Sequence, residues 1–212
     1  MTETSVSRPL ASRLIVSFGA ASEKAGLGDK REQMLAGLSG RIIEVGAGHG
    51  LNFARYPSDV TEVIAVEPEE HLRRMAEQAA AKAPVPVRVV PAVADELPGE
   101  DGEYDAAVTS LVLCSVPDQQ RALSELQRVL RPGGELRFLE HVRGDTRSFA
   151  GMQRTIDLVW PHLGGGCHLS RDTESAIRSA GFEIEQIERF DFVPSLMDAP
   201  GKPHIMGRAT RP

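Results

Sequence analysis

The chain has 212 residues, 41% hydrophobic and 25% charged, with a net charge of −6. That length suits one globular unit around one core, and the acidic balance argues against non-specific nucleic-acid binding, which needs a basic surface. Two cysteines, far apart in the chain, argue against a disulfide framework and suit reduced thiols in a cytoplasmic setting.

The opening MTETSVSRPLASRL has polar residues where a secretory signal needs a long apolar run. No stretch approaches the roughly 18–20 apolar residues of a membrane span, so no stable membrane insertion is expected. Leu10, Leu14, Ile15, Phe18 and Ala21 form an apolar stripe at helical spacing. We read it as a helix packed on the core, with residues 1–39 as N-terminal helices that pack on or cap a site in residues 40–212. A membrane-surface helix is the alternative, but would be richer in Lys and Arg.

Arg41 to Val45 is a first strand running into glycines, and Glu62 to Val66 a second. Glu69 to Lys82 reads as a helix closed by Pro84 and Pro86, and Val87 to Val90 as a third strand. Asp105 to Thr109, leading into LVLCSV, is a fourth strand. Asp118 to Leu130 is a helix between Pro117 and Pro132, and Glu135 to Leu139 a fifth strand. Phe149, Met152, Ile156 and Val159 mark one helix face before Pro161. Asp172 to Ala180 is a helix stopped by Gly181. Phe182 to Phe190 and His204 to Ala209 are two final strands with no helix between them. Strands alternating with helices predict an α/β doubly wound sheet, mostly parallel with an antiparallel last strand.

EVGAGHG, Glu44 to Gly50, sits where the first strand should turn into a helix. Its glycines allow a sharp turn and close approach to a ligand. Glu67 ends the second strand, 21 residues after Gly46, where a carboxylate can accept both hydroxyl protons of a ribose. The spacing is GxGxG, neither the GxGxxG of dinucleotide sites nor a phosphate-binding P-loop. A ligand with a ribose but no pyrophosphate fits: S-adenosylmethionine.

With VEP at the end of strand two, VADELP (Val93 to Pro98), YDAAVTSLVLCSVPD and LRPGGELRFLEHV, the loop resembles that of class I S-adenosylmethionine-dependent methyltransferases over roughly residues 40–142. The resemblance implies a Rossmann-like fold. It places Gly46, Ala47 and Gly48 along the methionine part of the cofactor, Glu67 on the ribose and Pro68 beside the adenine, with Glu44 and Asn52 also among the cofactor-binding residues. Asp95, with the Ala94 backbone, meets the adenine amine; related enzymes often carry an acid where this chain has Val93. Leu111 lies under the cofactor. LVLCSV, LEHV, D-x-x-W (Asp157 to Trp160), GC-x-L-x-R (Gly166 to Arg171) and PHIMGRA (Pro203 to Ala209) resemble the branch that contains the microsomal alkyl thiol S-methyltransferases and their bacterial relatives. Animal members of that branch carry a long hydrophobic anchor; this chain has only the short stripe.

The implied activity is methyl transfer to a small-molecule acceptor by direct in-line displacement, with a thiol as the preferred acceptor. The alternatives are an oxygen, nitrogen or carbon acceptor, or a cofactor-binding protein without turnover. A thiol, with a pKa near 8.5, needs little activation; a hydroxyl or ammonium needs a base near neutral pKa. His141, at the carboxyl edge after strand five, is the first candidate for the acceptor pocket. Asp157 and Trp160, one turn apart, form either a pocket wall with a fixed charge or a capped, packed helix end. WPHLGGGCHLSR, Trp160 to Arg171, reads as a lid over the acceptor with His168 in it. Gly164 to Gly166 act as a hinge or a point of close approach, and Arg171 pairs with Asp172 or Glu174. Cys114 reads as small-residue packing, His49 as shaping the loop and His204 as structural. Glu140 points either at the site or into the sheet edge. The lid offers His162, Cys167 and His168 but no second cluster at zinc-like spacing, so no metal is expected.

Overall fold

The computed structural model describes residues 9–163, 165–194 and 196–212. The side chains of Leu10, Leu14 and Ile15, and the residue Gly164, lie outside the described residues. Seven strands form one sheet: β1 (Gly40–Val45), β2 (Val60–Val66), β3 (Val87–Val90), β4 (Tyr104–Ser110), β5 (Leu130–His141), β6 (Glu183–Asp191) and β7 (Pro203–Thr210). Their spatial order is β3-β2-β1-β4-β5-β7-β6. The first five are parallel. β7 is antiparallel to both neighbours, inserting between β5 and β6.

The central strands are apolar on both faces, as sheets covered on both sides require. Ile43, Val45, Ile64, Val66, Leu136 and Phe138 pack in one cluster; Ile42, Val63, Ala65, Val108 and Leu139 pack in the other. The helices are α1 (Pro9–Ser22), α2 (Gly28–Leu35), α3 (Glu70–Ala80), α4 (Gln119–Val129), α5 (Arg147–Ile156), α6 (Trp160–Leu163) and α7 (Thr173–Ser179). Leu123, Leu126 and Val129 of α4 and Ile177 of α7 close the first face, while Met34 and Leu35 of α2 and Ala76 of α3 close the second. Side-chain caps start the helices where the sequence places them: Asp118 accepts from Arg121 N at 3.0 Å and Asp172 from Ser175 N at 3.2 Å.

The predicted fold is observed, with shifted boundaries. Strand five begins at Leu130, before Pro132, because the main chain straightens as soon as α4 ends at Val129. The helix expected after the glycine loop is reduced to one tight turn at Phe53–Arg55, since Pro57 stands two residues beyond it and cannot continue a helix. Between α1 and α2 the backbone makes a wide turn at Glu23–Leu27, broken by Gly26 at φ 109°. This turn presents Glu23 to Arg31 and Arg55, which donate to its carboxylate at 2.8 and 2.6 Å. The strand order reverses between β1 and β4, and ligands of open parallel sheets bind at the carboxyl ends of strands at such a point.

Candidate active site

A cavity of about 750 Å³ opens at that reversal. Its first half is built on the ends of β1 and β2. Glu67 is buried. Its Oε2 accepts from Gly48 N at 2.8 Å and its Oε1 from Glu69 N at 2.8 Å, which leaves each oxygen a further lone pair. Gly48 has φ 57°, and a Cβ there would meet nothing within 4 Å, so the loop has a bare main-chain surface facing open space. An acceptor carboxylate beside a bare glycine edge fits a ligand that carries a diol. Under the loop, the buried Glu44 accepts from Asn52 Nδ2 at 2.9 Å and from the Tyr56 hydroxyl at 2.6 Å.

Sequence reasoning missed Arg31, the only lysine or arginine among the described residues lining the cavity. It is 7% exposed. Its Nε donates to Glu23 at 2.8 Å and its Nη1 to Ser110 Oγ at 2.6 Å and Asn52 Oδ1 at 3.1 Å. The available signal was an arginine among the apolar positions Leu27, Met34 and Leu35 of an otherwise core-packed segment. Phe18 and Gly19 of α1 also line the cavity.

The second half is organised by Glu140, fully buried at the end of β5. Its carboxylate accepts from the backbone N–H groups of Val112 (3.2 Å), Leu113 (3.1 Å) and Cys114 (3.4 Å). Of the two placements open for Glu140, the structure selects the sheet edge. Leu111, just before these amides, has φ 60°, the only positive φ of a non-glycine among the described residues. The amides fix Cys114, and His168 N donates to the Cys114 carbonyl at 2.8 Å. Cys167 Sγ lies 3.5 Å from Cys114 Sγ and 3.4 Å from His141 Nδ1; Cys114 Sγ lies 3.9 Å from the same nitrogen. Gly166, at φ 98°, brings its backbone so near Ser115 that a Cβ would stand 2.9 Å from the Ser115 carbonyl oxygen.

Of the ten residues expected to bind the cofactor and the three candidates for the acceptor side, His141, Asp157 and His168, twelve line this cavity: Glu44, Gly46, Ala47, Gly48, Asn52, Glu67, Pro68, Ala94, Asp95, Leu111, His141 and His168. Asp157 is not among the lining residues. Its carboxylate accepts from Leu169 N (2.7 Å), Ser170 N (2.9 Å) and Ser170 Oγ (2.6 Å), which caps the segment that carries Cys167 and His168. Arg171 departs from its expected ion pair. Its Nη1 donates to the Leu113 carbonyl at 2.7 Å, while Asp172 pairs with Arg143 and Glu174 with Arg178 and Arg189. The expectation of no metal rested on the ligands of the lid and on the lack of a second cluster at zinc-like spacing along the sequence. In the fold, Cys114 and His141 join Cys167, with one ligand atom of each within 4.8 Å of the others.

Burial governs the proton affinities. It pushes Glu44, Glu67 and Glu140 up to about 7, against the opposing effect of the hydrogen bonds each accepts. Burial, with His141 nearby, lowers His204 to about 3; its Nδ1 lies 2.9 Å from the Lys202 carbonyl oxygen.

Residues 43–138 match the family described as "Methyltransferase domain". The human thiol S-methyltransferase TMT1B is 38% identical over 183 residues, 84% of this chain and 74% of that protein. Human TMT1A, also a thiol S-methyltransferase, is 34% identical over 185 residues, with 84% and 75% covered. Among solved structures, the geranyl diphosphate C-methyltransferase from Streptomyces coelicolor, in complex with Mg2+, geranyl diphosphate and S-adenosyl-L-homocysteine, superposes with a TM-score of 0.67. It is 15% identical and covers 89% of this chain and 79% of that one, a likeness of fold alone. The chain therefore belongs to the S-adenosylmethionine-dependent methyltransferases, in the branch that contains the thiol S-methyltransferases.

Proposed function

We propose that this enzyme methylates the sulfur of a small thiol. One observation carries the choice of acceptor. Among the described residues, the second half of the cavity holds no carboxylate available as a strong base, because Glu140 is committed to three backbone amides and Asp157 to the lid. The titratable side chains lining it are histidines and two cysteines. A thiol needs no stronger base, whereas an alcohol would. The names of the relatives support the same reading.

Bound S-adenosylmethionine supplies an electrophilic methyl on a sulfonium. In our reading Glu67 accepts from the ribose hydroxyls, and Pro68, Ala94 and Asp95 border the adenine. Gly46, Ala47, Gly48 and Asn52 border the methionine portion, whose carboxylate Arg31 would neutralise. Glu44 supports Asn52 from beneath. Leu111, just past β4, lies under the cofactor. His141 and His168 wall the acceptor, and Asp157 positions that wall. α1 and α2 cap the cofactor half. Excluding water and aligning acceptor and donor then supply most of the rate enhancement. No described helix is long and apolar enough to cross a membrane; we propose a cytoplasmic enzyme that acts on a diffusible acceptor and not on nucleic acid.

The test is turnover of S-adenosylmethionine to S-adenosylhomocysteine with matched alkyl thiols, phenols and amines. Thiols should lead by at least about tenfold in kcat/KM, a difference of roughly 1.4 kcal/mol. Equal or better turnover of phenols or amines would refute the thiol assignment.

A further inference from the structure

We propose that Cys114, His141 and Cys167 form a zinc site whose fourth position receives the acceptor thiol. The first warrant is convergence. The chain has two cysteines, separated by 53 residues, and both are buried with their sulfurs 3.5 Å apart beside one imidazole nitrogen. The second is shape. With Zn–S near 2.3 Å and Zn–N near 2.0–2.1 Å, a tetrahedron has an S···S edge of about 3.8 Å and S···N edges of about 3.6 Å. The three edges here are 3.5, 3.4 and 3.9 Å, so a zinc ion enters with shifts of a few tenths of an ångström.

The third warrant is support around the ligands. Cys114 is held by the Glu140 cradle and by His168 N, and its Sγ lies 3.4 Å from Ser115 Oγ. The lid that carries Cys167 is capped by Asp157. His141 is fixed by its pairing opposite His204 in the β5–β7 register and by ring contact with it at 4.3 Å. Ligand sites need such outer partners to hold geometry. The fourth warrant is the open coordination. Among the described residues the group has three members, and all three line the cavity beside Ile156, Trp160 and Leu169. Three protein ligands with a vacant position define a catalytic rather than a structural zinc, and soft sulfur ligands favour zinc over magnesium or calcium.

The step rests on the proposed thiol acceptor. The acceptor thiol loses its proton to solvent on binding zinc, and the thiolate keeps the electron pair. Its sulfur forms a bond to the methyl carbon as the sulfonium S–CH3 bond breaks, and that electron pair returns to the donor sulfur. The products are a neutral methyl thioether and S-adenosylhomocysteine, and one proton is released. Zinc changes no oxidation state.

The experiment begins with metal-free full-length protein kept reduced with a phosphine. Co2+ is titrated in and followed by the visible bands of tetrahedral thiolate coordination. One equivalent should bind, and C114S and C167S should each lose the bands. Titration with S-adenosylhomocysteine shows that each variant is folded. A small alkyl thiol should shift the Co2+ bands, and adding Zn2+ should raise thiol turnover more than tenfold over the metal-free enzyme. No Co2+ spectrum from protein that binds S-adenosylhomocysteine normally would overturn the site. Bands that ignore the thiol, with equal turnover in metal-free and zinc forms, would overturn its role in activation. A normal Co2+ titration with no turnover of any thiol would uphold the site and sink the thiol reading instead.

Discussion

Glu67 is the residue with the most at stake in the cofactor half. It is buried, raised to about 7, and already accepts two backbone bonds. Only the ionised form can accept from two hydroxyls while keeping those bonds, so affinity for S-adenosylhomocysteine should climb as pH rises through 7 and then level off. Glu67→Gln should weaken binding by roughly ten- to a hundredfold, the scale of one or two charge-assisted hydrogen bonds, and should flatten the pH dependence. Titration calorimetry on either side of pH 7 measures both, and unchanged affinity in the variant would remove Glu67 from the ribose. Leu111 offers a second test. Its left-handed backbone costs a non-glycine residue about 1–2 kcal/mol, and such strain persists where function holds it. Leu111→Gly should therefore leave urea stability almost unchanged, far from the roughly 2–5 kcal/mol usual for deleting a leucine side chain from a core. Cofactor affinity should nonetheless fall about tenfold. A large stability loss with normal binding would make Leu111 a packing residue.

The elements divide the labour between a scaffold and a lid. The scaffold was readable because strands such as β1, β2 and β3 are short apolar runs with glycine or proline beside them. The GxGxG loop and Glu67 sit 21 residues apart on consecutive strands, a separation the chain itself enforces. The lid was readable as a segment but not as a structure, since its glycines say only that the backbone comes close to something. That the something is the Ser115 carbonyl follows from tertiary folding. The same limit hid the meeting of Cys114 with Cys167 and His141, and the return of Arg31 into the cavity. Each joins elements far apart in the chain, with no local periodicity to mark it. Asp157 illustrates a role visible only at this scale, because both of its oxygens serve the turn at Leu169 and Ser170. Asp157→Ala orphans two amides, at about 1–3 kcal/mol when buried. It should raise KM for the acceptor severalfold while leaving affinity for S-adenosylhomocysteine unaltered. A parallel loss of cofactor affinity would show that the lid and the glycine loop are one unit.

At the scale of the molecule, three buried carboxyls and the imidazoles of His49 and His204 set the response to pH. Glu44, Glu67 and Glu140 hold protons up to about 7 in the folded chain, against 4.5 when unfolded. Between those values the folded state binds more protons, so stability falls as pH rises and becomes level above 7. His49, also lowered by burial, and His204 oppose this. Lowered from 6.5 to about 3, His204 makes stability rise with pH across that interval. Three carboxyls outweigh two imidazoles, and we expect the urea midpoint of the cofactor-free enzyme to be higher at pH 5.5 than at pH 7.5; the reverse order would show that these carboxyls ionise freely in the folded chain. The place of β7 has a different consequence. As the last strand along the chain, it lies inside the sheet, between β5 and β6. During synthesis β6 emerges without its strand partner, and β5 keeps an unpaired edge of main-chain donors and acceptors until Thr210 has cleared the ribosome. An unpaired edge of this kind recruits other strands. A message cut short before Pro203 would thus encode nearly every active-site side chain and still yield a chain prone to aggregate.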